Sequence, residues 1–164
     1  MRACVIFDSR YGNTEKVARS LEAGIRETGV ETVCVNSRDV KPGSLKEYDL
    51  VCIGAPTEAF NASKPMKDFI AALAGRAELS GRYCFAFDTK LDWRISGSAS
   101  KFIEKLEKLG LRTLARRESA IVQGSQSKDR ASITMLKEGE EQRFQQLGRL
   151  VGAALLASTK SIAA

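Results

Sequence analysis

Two periodicities alternate along the chain. Short apolar runs of strand length occupy residues 3–7, 31–36, 50–54, 83–87 and 119–123. The run Ala3-Cys4-Val5-Ile6-Phe7 is apolar throughout, as a strand covered on both faces should be. Between the runs, apolar residues recur at helical spacing. Val17, Ala18, Leu21 and Ile25 predict a helix over Asn13–Thr28, which Gly29 stops. Met66, Phe69, Ile70 and Leu73 predict a second, with Pro65 in its first turn. Phe102, Ile103, Leu106 and Leu109 predict a third that ends at Gly110. Phe144, Leu147, Val151 and Leu155 predict the last, over 138–157, where Glu138, Glu140 and Glu141 suit the positive end of the helix dipole. The stretch 37–48 offers only a short helix near 44–47, and Leu111–Leu114 reads as a lead-in to the fifth strand.

This alternation predicts an α/β fold: a doubly wound, five-stranded parallel sheet with right-handed crossovers and helices on both faces. No internal repeat or linker interrupts it, so one domain is expected over 1–159. A disordered tail is expected over 160–164, where Ile162 is the one large apolar side chain.

Composition then narrows the function. A chain of 164 residues, 43% hydrophobic and 28% charged, buries a core without disulfides or a structural metal. Thirteen glycines and three prolines exclude collagen-like and proline-rich chains. The longest apolar candidate, Leu150–Ala157, falls far short of the ~18 residues that span a bilayer. The amino terminus runs directly into a strand with no signal-peptide pattern, so a cytoplasmic protein without membrane contact is expected. Histidine is absent, which removes Ser-His-Asp and Cys-His catalysis and every histidine-containing metal site. Cys4, Cys34, Cys52 and Cys84 fall in four different strands. Strands ~4.8 Å apart set them in a row that cannot converge on a tetrahedral metal, so they are expected as buried free thiols, with no metal.

The net charge is +6, of which residues 1–82 supply +1 and residues 83–164 supply +5. That asymmetry favours an acidic partner or an anionic ligand near the second half, or else a solvated helix face. The basic stretch lacks interleaved aromatics and any nucleic-acid motif, so no nucleic-acid partner is expected.

In a doubly wound sheet, ligands sit beyond the carboxyl ends of the strands at the switch point. Three loops therefore matter: Asp8–Thr14, Ala55–Lys64 and Asp88–Ser98. The first, Ser9-Arg10-Tyr11-Gly12-Asn13-Thr14, joins hydroxyls, an amide, a glycine and a helix amino terminus, the equipment for a phosphate monoester. Asn13 and Thr14 would also serve as a helix cap. The loop is neither a P-loop nor a dinucleotide fingerprint. A receiver domain would need an aspartate after the third strand, where Ala55 and Pro56 stand.

The first loop resembles the flavodoxin phosphate loop, Ser/Thr-x-Thr-Gly-Asn-Thr: Ser9, Gly12, Asn13 and Thr14 match, and Tyr11 replaces a threonine. Gly54-Ala55-Pro56-Thr57-Glu58-Ala59-Phe60 is similar to the second flavodoxin loop. Trp93 and Gly97 resemble the Gly-Trp-Ser-Gly stretch of some flavodoxin domains, those of flavodiiron proteins included. The resemblance spans nearly the whole chain. It implies a sheet of order 2-1-3-4-5 and FMN as cofactor. The phosphate would sit on Ser9, Arg10, Tyr11, Gly12, Asn13 and Thr14. The ring would lie between Pro56, Thr57, Glu58, Ala59, Phe60 and Asn61 on one side and Asp88, Thr89, Lys90, Trp93 and Gly97 on the other, with Phe60 and Trp93 as stacking partners. Typical flavodoxins are strongly acidic; this chain has a pI of 9.3.

The resemblance implies a one-electron carrier working between redox partner proteins, here with an acidic docking face on the partner, as a monomer or weak dimer. Two alternatives use the same fold: an FMN-dependent quinone or substrate reductase, and a flavin-free module that binds an acidic protein.

Overall fold

The computed structural model describes residues 1–58, 61–92, 97–124 and 134–160. Its elements are β1 (Arg2–Phe7), α1 (Asn13–Glu27), β2 (Glu31–Asn36), β3 (Leu50–Glu58), β4 (Asn61–Ala62), α2 (Lys64–Ala72), β5 (Tyr83–Leu91), α3 (Ala99–Lys108), β6 (Arg112–Thr113), β7 (Glu118–Gly124), β8 (Thr134–Leu136) and α4 (Glu140–Lys160). Short 3-10 turns cover Pro42–Glu47 and Ala77–Leu79.

Among the described residues the sheet has eight strands, not five, in the order β2-β1-β3-β5-β7-β8, with β4 on β3 and β6 on β5. The five long strands are parallel and keep the expected order 2-1-3-4-5. The additions are short: β4 turns back on the end of β3, the lead-in before the fifth long strand pairs as β6, and β8 closes the β7 edge antiparallel.

Two strands outrun their apolar cores. β3 continues through Pro56 and Thr57, with Pro56 opposite Thr89, and β5 continues through Asp88, Thr89 and Lys90 to Leu91, opposite Val122. These residues, expected in loops, are ladder residues because a strand on each side extends the pairing.

Alternation along the parallel strands divides the core. Cys4, Ile6, Val51, Ile53, Cys84 and Ala86 face Met66, Phe69, Ile70, Phe102 and Leu106 of α2 and α3. Val5, Phe7, Cys52, Phe85 and Phe87 face Val17, Leu21, Ile25, Phe144 and Val151 of α1 and α4. All four cysteines are free. Cys4 and Cys84 flank Val51 on one face, while Cys34 and Cys52 flank Val5 on the other. Burial pushes Cys4 up to about 12 and Cys84 to about 11.

α1 and α4 touch backbone to backbone. A Cβ at Gly24 would stand 1.9 Å from the Gln145 carbonyl oxygen, and one at Gly148 would stand 2.3 Å from the Leu21 carbonyl oxygen. α4 is also tied to the start of β7, where Arg143 donates to the Glu118 carboxylate (3.2 Å) and the Ser119 carbonyl (2.6 Å). No helix among the described residues is long and apolar enough to cross a membrane.

Candidate functional site

A cleft of about 120 Å³ lies at the carboxyl ends of the central strands. Ser9, Arg10, Tyr11, Asn13 and Thr14 form one wall, Pro56 and Thr57 a second, and Thr89, Lys90 and Leu91 a third; Val122 and Thr134 complete the lining. Both charged residues of this lining, Arg10 and Lys90, are cations.

The first wall is shaped by Gly12, which takes the left-handed conformation (φ +83°) and stands at the amino end of α1. A side chain at that φ would be strained. Asn13 and Thr14 make no helix cap. They tie the loop to distant strands: Asn13 Nδ2 donates to the Thr134 carbonyl (2.8 Å) and hydroxyl (3.1 Å) on β8, and the Thr14 and Thr89 hydroxyls share a bond of 2.9 Å. Ser9 Oγ is buried beside this wall with no partner. Arg10 is exposed, and its guanidinium carbon lies over the Tyr11 ring, 5.3 Å from the centroid and within the ~6 Å reach of a cation–π contact.

The second and third walls are clamped at the start of α3. Thr57 Oγ1 accepts the Ser98 N–H at 2.9 Å and lies 3.2 Å from the Ser98 hydroxyl. Asp88 Oδ2 accepts the Ala99 N–H at 2.7 Å. Asp88 is fully buried, and a Cβ at Gly97 would stand 2.0 Å from its Oδ2, so only glycine lets the loop pass so near. Burial raises the Asp88 pKa; the Ala99 N–H, the Ser119 hydroxyl, Lys90 and Arg117 pull it back in part. Asp88 Oδ1 has no hydrogen-bond partner.

Of the residues the sequence nominates, Ser9, Arg10, Tyr11, Asn13, Thr14, Pro56, Thr57, Thr89 and Lys90 line one cleft. Gly12 shapes its wall, while Asp88 and Gly97 brace it from behind. Glu58 and Asn61 pair as the last rung between β3 and β4. Ala59, Phe60 and Trp93 lie outside the described residues, as do Arg94 and the tail beyond Lys160. Sequence reasoning missed Leu91, Val122, Thr134 and Ser98. Thr134 had no signal, because its role comes from β8 folding back onto β7.

Fold and cleft together define a doubly wound α/β protein whose ligand site opens at the strand switch point, with a cationic, hydroxyl-rich lining. The flavodoxin family model ("Flavodoxin") matches residues 5–146, and the chain belongs to that family, whose members bind FMN. A flavodoxin of Clostridium saccharobutylicum is 31% identical over 90 residues, 54% of this chain and 56% of that relative, so the match spans little more than half of it. Among solved structures, a flavodoxin from the domain Archaea superposes with a TM-score of 0.76 at 22% identity, covering 94% of this chain and 99% of the other. Rubredoxin oxygen:oxidoreductase from Desulfovibrio gigas gives 0.75 at 17% identity, over 95% of this chain and 36% of that longer one. At such identities these superpositions describe the fold.

The lining suits the phosphate end of FMN. A buried hydroxyl without a partner, Arg10 and a helix amino terminus share the first wall and Lys90 lines the third, and each favours an oxyanion.

Proposed function

We propose that this protein is an FMN-dependent electron carrier, a one-electron shuttle between redox partner proteins. When bound, FMN supplies reversible one-electron chemistry, and the chain holds it and sets its surroundings. The observation that carries the reading is the wall at Ser9: its unpartnered hydroxyl, with Arg10 and Lys90 in the same cleft, awaits an anion. Ser9 donates to the phosphate, Gly12 lets the turn close around it, and Asn13 and Thr14 act as struts that fix the turn to β8 and β5. Thr57, clamped to Ser98, and Asp88, clamped to Ala99, hold the two loop stems that flank the ring. Glu58, Ala59, Phe60, Asn61, Trp93 and Gly97 would flank the ring, as the resemblance to flavodoxins implies.

The partner carries an acidic docking face. Lys101, Lys105, Lys108, Arg112, Arg116 and Arg117 are all exposed along α3 and the segment after it, which begins at the stem of the third loop.

The test is reconstitution with FMN, followed by photoreduction and transfer to a one-electron acceptor protein. FMN-specific absorbance and rapid reoxidation by the acceptor support the carrier. Oxidation of NAD(P)H by the loaded protein alone would instead make it a reductase, and failure to retain any flavin would make it a binding module.

A further inference from the structure

We propose that the groove between the carboxyl end of β2 and the amino end of α2 is a second anion site, built for a phosphate-class oxyanion. Ser37, Arg38, Lys64, Pro65, Asp68 and Phe69 are among its lining residues, and it shares none with the cleft at Ser9. Like that cleft, it lies beyond the carboxyl end of a parallel strand.

The hydroxyl of Ser37, which lines the groove, and that of Ser63, next in sequence to the lining residue Lys64, lack partners. Ser37 follows β2, held by its N–H to the Phe7 carbonyl at 2.8 Å; it is 6% exposed, and its Oγ bonds nothing. Ser63 is the residue before α2. Its carbonyl accepts the Lys67 N–H at 3.1 Å, but its hydroxyl caps no N–H and has no partner at 3% exposure. A capping serine normally bonds the second or third helical N–H; at α2 the second position is Pro65, which has none. Both hydroxyls are enclosed donors without an acceptor, and an anion held in the groove that Ser37 lines would supply one.

The charges favour an anion. Arg38 is exposed, with Nη2 a loose 3.9 Å from Asp8 Oδ1. Lys64 pairs with Asp68 at 2.5 Å, an exposed i,i+4 contact of the kind that is readily exchanged. Asp68 offsets Lys64 and Asp8 stands at the outer limit of ion-pair range from Arg38, so the positive field rests on the loosely held Arg38 and the amino end of α2. The donors come from the β2 turn, the helix end and two flexible side chains, so they do not share the plane of a carboxylate. A tetrahedral oxyanion offers acceptors in all of those directions.

Inorganic phosphate and the phosphate monoester of a small molecule are the two sources, probed here with phosphate and AMP. Residue-resolved NMR titration of the FMN-saturated protein tests the site, with chloride at matched ionic strength as control. Saturable shifts centred on Ser37, Arg38, Lys64 and Met66 are expected. Binding should be about tenfold weaker in Ser37→Ala/Ser63→Ala, which removes two donors to a charged acceptor. That variant should melt no lower than the parent in anion-free buffer, since it deletes two unsatisfied hydroxyls. A preference for either probe supports the site and assigns its source. Shifts reproduced by chloride, confined to Ser9–Thr14, or unchanged in both the serine variant and Arg38→Gln/Lys64→Gln would overturn it. Because each groove residue is observed separately, the result stands whether or not the protein retains FMN.

Discussion

Ser9 and Asp88 each hold a buried oxygen without a partner, with opposite consequences. The Ser9 hydroxyl can donate to an incoming phosphate, so Ser9→Ala should weaken FMN by ~1 kcal/mol, about fivefold, without lowering the melting temperature of the flavin-free protein. Arg10 is exposed, so Arg10→Ala should cost no more than that, and the loss should shrink in high salt. Fluorescence titration of FMN at two ionic strengths measures both; equal affinity for parent and variants would remove these residues from the phosphate wall. Asp88 is a carboxylate whose folded pKa is raised by burial. The folded state then holds its proton more tightly than the unfolded chain, so this contribution is complete below the ordinary value of about 3.9 and is lost as pH rises through the folded pKa. Asp88→Asn keeps an acceptor for Ala99 and removes the charge. Urea unfolding from acid to neutral pH should show the parent losing stability relative to the variant, whereas parallel curves would mean the carboxylate is not destabilised. The raised thiols of Cys4, Cys34 and Cys84 predict the same sign at alkaline pH. All four cysteines should resist thiol reagents in the native protein and react once it is unfolded; fewer than four groups would indicate a disulfide.

At the scale of elements, the α1–α4 contact sets two effects against each other. In an isolated helix, Gly→Ala gains ~1 kcal/mol. Here the new methyl at Gly24 or Gly148 would meet a carbonyl oxygen of the opposite helix, well inside contact distance. Separating the helices uncovers packed side chains, and such overpacking costs ~1–3 kcal/mol, so the net should be destabilising. Chemical denaturation of Gly24→Ala and Gly148→Ala checks it; a gain in stability would show that the helices part freely. The periodic pattern predicts both helices because each buries a stripe, but it says nothing of how near they approach. The ends of β3 and β5 were illegible for a related reason. Pro56, Thr57, Asp88 and Thr89 are polar or strand-breaking by local rules, and only a flanking strand keeps them in the ladder.

For the molecule as a whole, the excess of positive charge in the second half becomes a surface. The exposed basic side chains of α3 and residues 112–117 follow the third loop, so an acidic partner guided there would approach the stem of that loop. Electrostatic steering of this kind acts on the association rate and is screened over ~8 Å at physiological salt. Stopped-flow reduction of an acidic acceptor should slow steeply as salt increases, and Lys105→Glu/Lys108→Glu should slow it at low salt while leaving FMN affinity unchanged. A rate indifferent to salt and to both reversals would place docking elsewhere.

The sequence by itself determined the order of the long strands and helices along the chain, the apolar stripes that those helices bury and the first wall of the cleft. Those features depend on neighbours close along the chain: a period of two or 3.6, or a turn in which Ser9 to Thr14 are contiguous. The tertiary structure alone decided how the walls meet. Thr14 bonds Thr89 across 75 residues, Asn13 bonds Thr134 across 121, and Thr57 bonds Ser98 across 41. Such bonds exist only once strand order and register bring the partners within about 3 Å. No local pattern can announce a hydrogen bond whose partner is chosen by the stacking of the whole sheet.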